Sequence, residues 1–109
     1  MNFSVKSIKP RQEPGKVDHF YLGGIDSYEE IGELARYWRD GAGAKIVKKD
    51  IAPDDTVYIT MEYNSLIFTI VFDEFVGAYI FPESESQVEV VHEFLKRTLL
   101  FEDEQRIVA

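Results

Sequence analysis

A chain of 109 residues has room for one hydrophobic core and not for two. Hydrophobic residues make up 45%, enough to fold, yet no apolar run approaches the ~20 residues of a membrane-spanning helix. The absence of cysteine removes disulfides, thiolate nucleophiles and thiolate metal sites, and a net charge of −8 disfavours contact with a phosphate backbone.

The opening MNFSVKSIKPRQ lacks the apolar centre of a signal peptide, so a cytoplasmic protein is expected. Residues 2–9 alternate loosely and predict a short strand. Pro10, Pro14, Gly15, Gly23 and Gly24 predict a loop over 10–26, with an extended piece near Val17–Leu22. Residues 1–25 thus read as an N-terminal strand and loop arm. Residues 1–16 hold Lys6, Lys9, Arg11 and Lys16 against Glu13, so the negative charge lies in the rest of the chain.

Ser27-x-x-Glu30 is a capping box that opens the first helix. Tyr28, Ile31, Leu34, Ala35 and Trp38 fall on its apolar stripe, and Gly41 and Gly43 end it. Gly32, unfavourable inside a helix, is expected to mark close approach to a strand. Lys45, Lys48 and Lys49 crowd residues 44–51, as befits an edge strand guarded against further pairing.

The run Thr56–Phe81 predicts three antiparallel strands. Pairing Tyr63 with Leu66 across Asn64-Ser65 sets Met61 against Phe68, Ile59 against Ile70 and Val57 against Phe72, an entirely apolar face. For the second hairpin, two-residue and four-residue loops around Asp73–Val76 both fit. Either puts Tyr79 and Phe81 on the apolar face and Ala78 and Ile80 on the reverse.

Pro82 is expected to end the strand and start the last helix, boxed by Ser84-x-x-Gln87 or Ser86-x-x-Glu89. Val88, Val91, Phe94, Leu95, Thr98 and Leu99 form the stripe of that helix, and residues 104–109 read as a frayed tail. The expected fold is a single α+β domain of order β-α-β-β-β-β-α. It is a two-layer sandwich with a mostly antiparallel sheet of four or five strands and two helices on one face.

The reverse face would show Tyr58, Ile67, Val71, Ala78 and Ile80, too apolar for water alone. Coverage by residues 1–25, by a second copy or by another protein would each account for it. Glu85, Glu89 and Glu93 form an acidic row on the last helix that could meet a basic partner.

No catalytic set emerges. His19 and His92 have no metal-ligand spacing, the carboxylate pairs fall in turns or on solvated helix faces, and the glycines form no phosphate loop. No cofactor and no metal is expected.

In size, acidity and α+β layout the chain looks like bacterial immunity proteins and antitoxin-type inhibitors. The likeness is one of class and carries no residue's role with it. The leading expectation is a non-catalytic acidic protein that occludes a basic partner protein, such as a toxin domain, with no nucleic acid and no membrane involved. Glu85, Glu89 and Glu93 would steer that partner, and Tyr58, Ile67 and Ile80 would supply buried contact. The alternatives are a homodimeric scaffold closing through the same face, or a small-molecule or enzymatic domain with a cleft near Tyr37, Trp38, His19 and His92.

Overall fold

Asn64 and Ser65 both take positive φ, 47° and 68°, the backbone of a two-residue hairpin turn. That turn sets β4 (Val57–Tyr63) against β5 (Leu66–Asp73) in the expected register, Met61 opposite Phe68, Ile59 opposite Ile70 and Val57 opposite Phe72. The structure, a computed structural model, describes residues 5–11 and 18–99. The expected tail at 104–109 lies outside the described residues.

Among the described residues the sheet has six strands, not four or five. β1 (Ser7–Arg11) and β2 (His19–Gly23) pair with each other, and β2 pairs with β6 (Gly77–Pro82). β3 (Lys45–Ile51) pairs with β4, so the spatial order is β1-β2-β6-β5-β4-β3, all antiparallel. The N-terminal arm is therefore part of the sheet. Its apolar residues Val5, Ile8, Phe20 and Leu22 join the common core instead of covering the reverse face. Pro10 sits in β1, where an edge strand tolerates a missing N–H. At the other edge β3 is exposed along its whole length, as its lysines predict.

Between β5 and β6 the connection holds three residues, Glu74–Val76, closed by Gly77 at φ 97°. An odd loop inverts the side-chain alternation that either even loop would give. Ala78 and Ile80 consequently lie in the core, opposite Phe72 and Ile70, while Tyr79 and Phe81 lie on the reverse face. The expectation that Ile80 is a surface residue is overturned: it is 0% exposed.

Helix α1 (Tyr28–Ala42) begins at the expected cap. The Glu30 backbone N–H donates to Ser27 Oγ at 3.3 Å, and Glu30 Oε1 reaches back to accept from the Asp26 N–H at 3.0 Å. Such a cap is worth about 1 kcal/mol. Ile31, Leu34, Ala35 and Trp38 are buried, but Tyr28, the first residue of the helix, is exposed. Gly32 touches no strand. A Cβ there would meet only the Arg36 guanidinium, at 3.5 Å.

Helix α2 (Val88–Leu99) follows a 3₁₀ turn, Glu85–Gln87, and neither expected capping box forms. Pro82 closes β6 opposite Phe68 instead of opening the helix. The Ser84 and Ser86 hydroxyls bond each other at 2.9 Å. Val91, Phe94, Leu95 and Leu99 of α2 enter the same core as the buried face of α1, so both helices cover one sheet face. Among the described residues no helix is long and apolar enough to cross a membrane.

Candidate functional site

The antiparallel register aligns one residue from every strand into a row across the uncovered face. In spatial order the row is Lys9, Tyr21, Tyr79, Val71, Tyr58 and Asp50. Beside it, Phe81, Thr69, Thr60 and Lys48 align in the same way, as do Ile67, Glu62 and Lys45. Alternation causes this, because in the inner strands β6, β5 and β4 the residues between these positions point the other way, into the core.

Aromatic rings cluster at the β2–β6 side. Tyr21 and Tyr79 meet at 5.8 Å between centroids, Tyr79 and Phe81 at 6.4 Å, and His19 lies 5.1 Å from Tyr21 and 5.4 Å from Tyr79. The Arg11 guanidinium sits over the Tyr21 ring at 5.6 Å. Val71, at the centre, is 0% exposed and is sealed by its neighbours. No described element packs over this face, whereas both helices cover the other one.

The expected partner-binding residues separate into three places. Tyr58 and Ile67 are on the open face, Ile80 is in the core, and Glu85, Glu89 and Glu93 are exposed on the helical layer. Glu93 is also paired with Lys96 at 2.8 Å, which together with the lysine's charge holds its carboxyl below the usual range. The glutamates thus stand with the helical layer, and Tyr58 and Ile67 stand on the opposite face of the sheet. Tyr79 and Phe81 take the place that Ile80 and Ala78 were expected to fill.

The histidines do not meet. His19 is on the open face, while His92 stacks on Phe20 on the helical side, at 4.9 Å and 24° between planes. His92 borders a cleft of about 370 Å³ lined by Pro10, Arg11, Asp18, Phe20, Val88 and Glu89. Among the described residues, its Nε2 is buried with no hydrogen-bond partner. Burial keeps its imidazole below the ordinary histidine pKa and Lys96 adds to this, while Glu93 and Glu89 act in the opposite direction. A depressed pKa favours the neutral ring.

Tyr37 and Trp38 do not line this cleft. Both bond Thr98 on α2, Tyr37 through its hydroxyl to the Thr98 carbonyl at 2.9 Å. Among the described residues, no three histidine or carboxylate side chains are grouped to hold a metal ion. No family model, curated protein or solved structure matches this chain.

Proposed function

We propose that this chain is a non-catalytic, cytoplasmic binding protein that occludes a partner protein, in the manner of the immunity protein of a bacterial toxin. The observation that carries the reading is the open sheet face. Its central row of Tyr21, Tyr79, Val71 and Tyr58, with Phe81 and Ile67 beside it, has no covering element among the described residues. Tyrosine-rich flat surfaces give large contact area at low entropic cost, a property of protein-binding patches. Separation of the two histidines on opposite sides of the sheet supports a non-catalytic role.

A second copy fits the face less well than a foreign protein. A two-fold axis along the strands would set Lys9 against Asp50, which is favourable, but would also set Arg11 near Lys48, which is not.

The test uses the gene adjoining this one, expressed in a host bacterium alone and together with this chain. The expected result is growth arrest by the adjoining product, relieved by this chain and not by the Tyr58→Arg/Ile67→Arg variant. That variant should keep the wild-type circular dichroism and melting curve. A harmless adjoining product, or relief unaffected by the substitutions, sinks the proposal.

A further inference from the structure

One end of the molecule brings apolar and acidic groups together. β3 returns to β4 through Pro53-Asp54-Asp55, and β5 returns to β6 through Glu74-Phe75-Val76. Val57 pairs with both Ile51 and Phe72, so the two connections share an end, and α1 starts beside them at Tyr28. Between them is an open cleft of about 430 Å³ lined by Tyr28, Ile51, Asp55, Val57, Phe72 and Glu74.

Among the described residues, the exposed apolar side chains Tyr28 and Ile51 line that cleft, and Phe75 and Val76 follow its Glu74 in the adjoining loop. Phe75 is 90% exposed, Ile51 64%, Tyr28 60% and Val76 51%. Phe75 is presented by an ordered loop. Asp73 Oδ1 accepts from the Phe75 N–H at 2.8 Å and from the Val76 N–H at 3.3 Å, and Val76 N–H also reaches the Asp73 carbonyl at 3.2 Å. An aromatic side chain on a short, hydrogen-bonded turn loses little further freedom on binding, which is what an interface anchor requires.

Charge selects the occupant. Asp55 and Glu74 are the charged residues lining the cleft, and no lysine or arginine lines it among the described residues. Docking of a second copy about a two-fold axis would bring these carboxylates against their own counterparts. An apolar side chain flanked by cations would satisfy the apolar floor and the acidic rim together.

We infer that this end is a docking site for a segment of a partner protein that carries an apolar or aromatic anchor flanked by lysine or arginine. The site is separate from the open sheet face and does not depend on that face being occupied.

The test is selection from a phage-displayed library of random peptides, on the wild-type chain and on Ile51→Ser/Phe75→Ser in parallel. Both positions are exposed, so the variant should fold, and an unchanged melting curve verifies it. Expected is enrichment of peptides with an apolar or aromatic residue between basic ones, at least tenfold weaker on the variant and weakened further by salt. Tyr58→Arg/Ile67→Arg on the sheet face should leave that binding intact. No enrichment, an acidic or uncharged consensus, or equal binding to the variant would each overturn the inference. So would a wild-type dimer in sedimentation velocity that Ile51→Ser/Phe75→Ser dissociates, since the occupant would then be a second copy.

Discussion

The Trp38 indole N–H donates to Thr98 Oγ1 at 2.8 Å, joining the two helices above the sheet. Thr98 passes its own hydroxyl hydrogen to the Phe94 carbonyl at 2.7 Å, so one side chain serves as acceptor and donor at once. Around it, the Trp38 ring packs edge-on to Phe68 at 5.4 Å and tilted against Phe94 at 5.2 Å. Trp38 itself is 0% exposed, and Thr98 is the partner of its indole N–H. Thr98→Val should therefore cost about 1–3 kcal/mol by stranding a buried donor. Thr98→Ser, which keeps the hydroxyl, should cost clearly less. Urea midpoints of the two variants check this, and equal losses would mean that the hydroxyl does not matter.

Gly32 and Gly77 should respond in opposite directions to alanine. At Gly32 a Cβ meets ordinary contact distance with the Arg36 guanidinium and nothing else, so Gly32→Ala should stabilise by about 1 kcal/mol. At Gly77, φ of 97° is strained for any side chain, and Gly77→Ala should destabilise by about 1 kcal/mol or more. Thermal melts of the two variants, bracketing the wild type, are the expected outcome.

His92 makes stability depend on pH. Its folded pKa lies below the ordinary value, chiefly through burial. As pH falls through about 6.5, the unfolded chain takes up a proton on this residue before the folded chain does. The contribution is thus complete above that pH and is lost as pH falls toward the folded value. His92→Phe preserves a ring to stack on Phe20, and its urea midpoint should fall less than that of the wild type between about pH 8 and pH 5. Parallel curves would show that this imidazole does not carry the effect.

The inverted face of β6 can be tested by paired truncations. Ile80→Ala removes a fully buried side chain and should cost about 2–5 kcal/mol. Phe81→Ser, on the half-buried open face, should cost much less despite removing a larger group. Chemical denaturation that ranks them in the reverse order would restore the even-loop register.

These tests touch the places where the sequence was legible and where it was not. The first hairpin could be read because Asn64-Ser65 accepts positive φ at both positions, leaving one register that kept both faces consistent. The second could not be resolved by alternation alone, since Ala78-Tyr79-Ile80-Phe81 is apolar at every position. The usable signal there was Asp73 with Gly77 four residues on, a side-chain-capped turn followed by a left-handed residue. β1 and β2 were under-read because prolines and glycines surround them, and Pro10 itself is tolerated in β1 because that strand is an edge. At the candidate sites, Tyr58 and Ile67 followed from the first hairpin's register. The end cleft did not, because Tyr28, Ile51 and Glu74 belong to three separate segments that only the assembled sheet brings together.

The sheet's two outermost strands carry a further implication. Pro10 interrupts the outer row of donors on β1, and β3 is lined with Lys45, Lys48 and Lys49 and has a bulge between Ile46 and Lys48. Ribbon-like polymerisation through strand addition is blocked at one rim by a lost hydrogen and at the other by charge and a kink. A concentrated preparation should stay clear of thioflavin-positive fibres, and replacing Lys48 and Lys49 with threonine should be enough to seed them.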